Sequence, residues 1–438
     1  MCAVTLLNSS PTASPDAPTR ADKRFNFACC LTDSVGWPLG AALFSQATIL
    51  PAFLQHLGAS NALIGALPAL YNLLVFLPGL FVAGYVSRLR RARGYLFWIA
   101  LVERLALLSL VPLTLLWART HPGWLIVALF AAITVHAGAM GLNQPAYWIV
   151  VGKCISPAWR GRLFGYAGGI AGVLSLGMAP LMERLLSGPG GGFPNGYAHG
   201  FLLGAVIMLV SFFPLGMVRE PPGAPRETGD PHTGHYGRDS VRVWQTQTPF
   251  RRFLYGQIAL TLSSLAVPFY VLDARARLGA GSEAVAGYTA LLVLAGSFGG
   301  LGAGAWSDRQ GNRVVLLAAC VCAALASGVA LAAPNKIVFY GVFALLALAT
   351  AGQGIAGNNI VLEYAGDARE IPLYTAVYNA VTALPRAFAP LAGGLLADGP
   401  AGYHMLFLLS AAFAACAFAL TLRAGEPRHN LHTHKHSR

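Results

Sequence analysis

The chain has 438 residues, is 55% hydrophobic and 11% charged, and carries a formal net charge of +13. A water-soluble domain needs roughly 25% charged residues to cover its surface, so the composition excludes a soluble globular protein and places most of the surface against lipid. The surplus of Lys and Arg follows the loops between apolar runs, which gives it a topological meaning and removes the need for a nucleic-acid partner.

In chain order, residues 1–26 are rich in Ser, Pro and Ala, and their apolar run Ala3–Leu7 is too short for a signal-peptide core, so they read as a cytoplasmic tail. A bilayer core of about 30 Å takes about 20 apolar residues per helix. Such runs fall at 27–54, 62–86, 94–117, 124–148, 163–186 and 198–218, and again at 253–273, 285–306, 312–334, 336–359, 372–396 and 402–423. The fold class expected is therefore an all-α integral membrane protein of twelve transmembrane helices, with bundles at 27–218 and 253–423. The stretch 219–252 contains Pro221, Pro222, Pro225 and Pro231 and reads as a linker. Residues 424–438 form a tail with His429, His432, His434 and His436, read as a solvated run. The cysteines Cys2, Cys29, Cys30, Cys154, Cys320, Cys322 and Cys416 show no metal-ligand spacing and read as small buried hydrophobes.

With both termini cytoplasmic, the inner segments hold 23 Lys and Arg and the outer loops hold 5, while Arg104 and Arg386 lie inside spans. This bias sets the orientation. The second half repeats the first: Leu163-Phe164 and Ala179-Pro180-Leu181 recur 210 residues later as Leu373-Tyr374 and Ala389-Pro390-Leu391. Pro51 with Leu57-Gly58-Ala59 and Gly65 is echoed by Pro268 with Leu278-Gly279-Ala280 and Gly287. Two six-helix halves joined by a linker suit a carrier, in which two bodies rock around a central site.

One segment is specific. The run GAWSDRQGNRVVL, Gly304 to Leu316, resembles the signature loop of the major facilitator superfamily, with Gly304, Asp308, Arg309, Gly311 and Arg313 at the signature positions. In this reading Gly304 permits close helix packing, Gly311 permits a tight turn, and Asp308 accepts hydrogen bonds that hold the outward-facing state. The corresponding first-half loop keeps Gly84 but has Arg88 where the acid would stand, so the first-half gate lacks its anionic partner. The run Pro157-Ala158-Trp159-Arg160-Gly161-Arg162 is similar to the superfamily's Arg-Gly-Arg loop between spans four and five. The resemblance implies the twelve-helix, bacterial-type fold with spans one, four, seven and ten around a central cavity. Spans two, five, eight and eleven would then form the interface between halves, with the third span peripheral.

Ionisable side chains inside a bilayer are functional candidates by default. Thr375, Asn379, Thr382 and Arg386 form one helical stripe ending in a deep arginine suited to an anionic or hydrogen-bonding solute. Gln257, Thr261 and Ser264, then His136, Met140, Asn143 and Tyr147, form similar stripes, and Gln353 lies in span ten. Asp33 is the candidate proton-titrating carboxylate, and equally suits capping of backbone amides. Glu103 and Arg104 are adjacent, about 100° apart on a helix, and so are expected to find partners on other helices in a structural network. Glu183-Arg184 and Asp273-Arg275-Arg277 lie at outer ends, where external gate contacts belong.

No GxSxG elbow, HExxH pair or P-loop is present, so no enzyme, cofactor or metal site is expected. The expected function is secondary active transport of a small organic solute by alternating access, with protons as a coupling partner, by a monomer in the inner (plasma) membrane. The alternatives are a transporter-like membrane sensor and a facilitative channel.

Overall fold

The computed structural model describes residues 19–187, 192–221, 236–365, 370–400 and 402–424, and among these the regular structure is helical throughout. The first half contains α1 (Arg20–Ala42), α2 (Ile49–His56), α3 (Asn61–Val86), α4 (Arg93–Leu108), α5 (Leu110–Trp117), α6 (Pro122–Cys154), α7 (Pro157–Ser187) and α8 (Asn195–Gly216). The stretch read as linker contains a helix, α9 (Tyr236–Thr246). The second half contains α10 (Thr248–Leu262), a 3-10 turn at Ser263–Ala266, α11 (Val267–Leu278), α12 (Ser282–Gln310), α13 (Asn312–Ala332), α14 (Tyr340–Ala365), α15 (Ile371–Ala397) and α16 (Gly402–Ala424). The His-rich tail, Cys2 and the linker prolines Pro222, Pro225 and Pro231 lie outside the described residues.

Among the described residues ten spans are long and apolar enough to cross a membrane, and α7, bent by 41° at Pro180, makes an eleventh. The expected first span is not one of them. Asp22, Lys23, Arg24, Asn26 and Asp33 lie along α1, and the helix is interrupted between Ala42 and Ile49 before continuing as α2. Pro51 explains the break: it has no N–H to give the Ala47 carbonyl, and its ring would crowd that oxygen. Pro268 stands in the same relation to Ser264, where the seventh span tightens into its 3-10 turn. Both halves thus open with a proline-broken helix.

Other boundaries shift for local reasons. The helix α1 starts at Arg20, ahead of the expected boundary, because Thr19 and Asp22 form a reciprocal capping box. Arg160 and Arg162, expected in a loop, stand in the opening turns of α7, which begins at Pro157. Asp308 and Arg309 likewise belong to the last turn of α12, and the turn itself is Gly311, at φ +93°. The cysteines Cys29, Cys30, Cys154 and Cys320 are buried as expected, whereas Cys416 is exposed on α16.

The internal repeat is visible in side-chain contacts. Arg93 at the start of α4 donates to the Val218 carbonyl just past α8, and Arg313 near the start of α13 donates to the Leu422 carbonyl of α16. Each arginine ties the third span of its half to the end of the sixth, where unsatisfied carbonyls attract a cation.

The halves meet along two antiparallel helix pairs, α3 with α15 and α7 with α12. A β-carbon on Gly65 would lie 2.1 Å from the Pro390 carbonyl oxygen, and one on Gly394 would lie 2.3 Å from that of Asn61. Only glycine allows so close a backbone approach. The apolar core reflects this joint. One large cluster containing Leu50, Phe53, Leu67, Phe201, Phe269, Tyr288 and Phe407 runs through both halves at the end remote from the termini. Nearer the termini the core separates into two clusters, one around Cys30, Leu96 and Phe212 and one around Phe253, Val315 and Tyr378, each within a single half.

Replacing Gly65 by leucine forces the α3–α15 backbones apart, a type of overpacking that costs about 1–3 kcal/mol. A melting temperature several degrees below that of the parent protein is expected. Gly304→Ala, where an added β-carbon meets nothing within 4 Å, is expected to melt at or slightly above the parent. Equal melting temperatures for Gly65→Leu and the parent would refute the assigned contact.

Candidate functional site

Between the halves lies a cavity of about 460 Å³. The two broken helices supply Ser45, Gln46 and Ala47 from one half, and Thr261, Ser264, Val267 and Pro268 from the other. The remaining wall includes Trp37, Tyr71, Asn72, His136, Thr350, Gln353 and Arg386. Arg386 places its guanidinium carbon 4.9 Å from the centre of the Phe76 ring across the interface, a cation–π contact. Asn72 on α3 donates to the Arg386 carbonyl at 3.2 Å, joining the halves at this level. The Gln353 amide lies 3.4 Å from both the Gln257 and Thr261 side-chain oxygens, and the Gln257 amide nitrogen is buried without a described acceptor.

Behind Trp37 a second cavity, about 280 Å³, lies wholly within the first half. It is lined by a buried charge cluster. Arg104 is 3.2 Å from Asp33 and 3.4 Å from Glu103, and all three residues are at most 5% exposed. Arg104 also donates to the Met208 and Ala100 carbonyls and lies over the Phe212 ring. The expectation that neighbours Glu103 and Arg104 diverge is corrected here: the arginine is long enough to fold back onto the preceding carboxylate. Trp37 Nε1 donates to Glu103 at 3.2 Å, and His136 Nδ1 lies 3.2 Å from the Glu103 carbonyl oxygen. Trp37 borders both cavities, and His136 lines the central one, so the cluster adjoins the space between the halves.

The sequence-derived candidates separate by location. Arg386, Thr261, Ser264, His136 and Gln353 line the central cavity, and Gln257 is buried beside it. Asp33 and Asn143 line the first-half cavity. Thr382 is fully buried, with its hydroxyl donated to the Tyr378 carbonyl one turn back, and Asn379 is half-buried outside the lining. Trp37, Tyr71 and Phe76 escaped sequence reasoning because an aromatic residue on an apolar helix looks the same facing core, lipid or cavity. Asn72 did leave a signal, as a lone amide in the apolar run of α3.

At the end nearer the termini, Arg160 donates to the Ile155 and Gly152 carbonyls at the end of α6, and Arg162 lies over the Trp159 ring. Asp308 and Arg309 are exposed. Gly304 makes no close helix contact, contrary to expectation, because the space facing it is open. The first-half loop does have a carboxylate partner: Glu220, arriving from beyond α8, accepts from the Ala92 and Arg93 amides and pairs with Lys153 at 2.8 Å. Its expected absence is thereby corrected.

At the opposite end, side chains seal the halves. Asp398, at the C-terminus of α15, accepts from the Asn61 and Ala62 amides at the N-terminus of α3. Thr48 and Thr289 share a buried hydrogen bond of 2.7 Å, and Tyr403 donates to Asn61. Arg275 donates to His56 Nε2 at 2.8 Å and to the Ala52 carbonyl, while Arg277 stays within its half on Asp273, Ala330 and Ala333. Glu183 and Arg184 are exposed. Among the described residues, the side-chain hydrogen bonds between halves lie from the Asn72–Arg386 level to this end.

Residues 253–437 match the family model described as Major Facilitator Superfamily. No curated protein matches the chain in sequence. Solved structures with a similar fold include a mutant of the nucleoside transporter NupG, at 12% identity and a TM-score of 0.68, covering 92% of this chain and 100% of that one. A D-xylose–proton symporter aligns at 14% identity and a TM-score of 0.66, covering 93% and 98%. A bacterial homologue of the human lysosomal transporter Spinster, inward-facing and unoccupied, aligns at 15% identity and a TM-score of 0.64, covering 94% and 98%. At these identities the likeness is one of fold.

The His56–Arg275 contact carries a pH prediction. Desolvation against the stacked Phe193 ring, then the Arg275 guanidinium, push the His56 pKa down from 6.5 to about 4. Nε2 accepts from Arg275 only while the ring is neutral. The seal is therefore intact above pH 6.5 and weakens as the pH falls from there toward 4. Spin labels at Ser60→Cys and Ser282→Cys, in a background without native cysteines, should show one short distance at pH 7.5 and an added longer population at pH 4.5. His56→Phe, which keeps the stack but cannot titrate, should remove that response. An unchanged distance distribution across this range would sink the assignment.

Proposed function

We propose that this chain, which belongs to the major facilitator superfamily, is a secondary active transporter carrying a small organic solute by alternating access. The observation that carries this reading is the asymmetry of the joint around the central cavity. One end is closed by a continuous core and cross-half hydrogen bonds, and at the other the core divides between the halves. With the termini cytoplasmic, as the Lys and Arg bias requires, this is an inward-facing state. A cavity sealed at one end speaks for a carrier rather than an open pore. The two broken helices place irregular backbone where it borders a cavity, the arrangement a membrane interior tolerates.

In this reading Asp308 and Gly304 form a clasp that engages when the cytoplasmic ends come together, which accounts for the exposure of Asp308 and the open space facing Gly304. Arg386, Gln353, Thr261, Ser264 and His136 contact the solute. Proton coupling runs through the first-half cluster. Two carboxylates and one guanidinium carry a net charge of −1, and one proton neutralises it, as burial in a low dielectric favours. Glu103 reaches the central cavity through Trp37 and His136, so the cluster's protonation and the solute's position are able to influence each other.

The solute is first identified by thermal stabilisation of the purified protein, where a ligand at 100 times its Kd adds about 2.7 kcal/mol. Proteoliposomes are then expected to accumulate it under a pH gradient. Asp33→Asn and Glu103→Gln should abolish accumulation while preserving solute exchange between the two sides. Undiminished gradient-driven uptake in both variants would remove the proton assignment, and a ligand that is bound but never exchanged would favour a sensor.

A further inference from the structure

The two cavities divide the intramembrane charge unevenly. In the first-half cavity, Arg104 engages both Asp33 and Glu103 and donates to the Met208 and Ala100 carbonyls. That guanidinium is already matched by carboxylates. Among the described residues no Asp or Glu lines the central cavity, and Arg386 is the one Lys or Arg there. Among the described residues no carboxylate lies within ion-pair distance of Arg386. Its guanidinium rests on Phe76 through its face and hydrogen-bonds the Tyr378 hydroxyl, which leaves the other N–H groups at its edge for a ligand.

An unneutralised cation at this depth is costly, and the cost falls when an anion arrives. The polar side chains of the lining add a donor rather than negative charge: the Gln353 amide makes only long contacts of 3.4 Å, to Gln257 and Thr261. The first-half part of the lining includes the aromatic and apolar side chains of Trp37, Phe44, Tyr71 and Leu107. A volume of about 460 Å³ is in the range that holds one small organic molecule.

We infer that the solute is a small organic monoanion, with its carboxylate or an equivalent oxyanion on Arg386 and an apolar body against Trp37 and Tyr71. This inference rests on the transport reading above and names its substrate class. A single unpaired cation favours one negative charge over two. A cationic solute meets no counter-charge in the lining, and a neutral one leaves Arg386 unneutralised. The planar fork of arginine also suits a carboxylate geometrically, as a bidentate pair.

The test compares molecules of matched size and different charge on the full-length protein: benzoate, benzamide and benzylamine, then hexanoate, hexanamide and hexylamine. Binding is read by calorimetry. The acids should bind saturably, with the amides and amines about tenfold weaker or more. Arg386→Gln should weaken acid binding about tenfold or more, while Arg386→Lys should retain the preference for acids at lower affinity. Amides or amines that bind as tightly as the acids would overturn the inference. So would undiminished benzoate binding by Arg386→Gln, or no saturable binding of either acid. Counterflow of labelled benzoate and benzylamine in proteoliposomes separates the two claims. Benzoate bound through Arg386 but not moved would refute transport and keep the anion site. Benzylamine moved equally by the parent and Arg386→Gln would keep transport and refute the anion.

Discussion

Where Gly65 faces Pro390 and Gly394 faces Asn61, the backbones of α3 and α15 touch directly, and Asp398 closes the gap between one helix C-terminus and the other helix N-terminus. Lipid supplies no hydrophobic drive for two apolar helices to associate, so such a joint depends on close packing and hydrogen bonds. Because it lies toward one end of the molecule, the same joint that unites the core there leaves the halves with separate cores at the other. The shared core at one end and the separate cores at the other follow the level at which the glycines allow contact.

The second organising constraint is electrostatic. Four ionisable groups in the first half, Asp33, Glu103, Arg104 and His136, are gathered into one network, and Arg386 of the second half stands apart from it. Burying an ion pair stabilises little in itself once desolvation is counted. The segregation therefore argues for a role in function. One side of the cavity holds its charges paired within its wall, and the other presents an arginine with no carboxylate partner among the described residues.

Much of this was legible in the sequence, for definite reasons. Arg386, Asp33 and Glu103 stand out because an ionisable group in an apolar run has few innocent explanations. Thr261, Ser264 and His136 were marked by polar spacing on their helices and Gln353 by its place in span ten, and all four line the cavity. Other features resist a one-dimensional reading. Pro51 and Pro268 were visible as repeat markers, yet whether a proline kinks a helix or breaks it depends on what its neighbours can offer the freed carbonyl. The arginines of α7 read as loop residues because Pro, Gly and Arg also make turns. Thr382 shared a stripe with Arg386, but helical periodicity does not say how far along a helix the water-filled space extends, and its hydroxyl turned back to Tyr378.

Glu220 illustrates how a position in sequence conceals a position in space. It reads as the start of a linker, yet its carboxylate is buried against the first turn of α4 and the Lys153 ammonium. It thereby acts as a mooring. It fastens the start of the third span to the end of the fourth. A severed chain would feel the difference: a cut after Glu220 leaves each bundle with its own fastenings, whereas a cut just ahead of it unties the third and fourth spans of the first. The first bundle of this protein, in that sense, ends at Glu220 and not at the last apolar residue of α8.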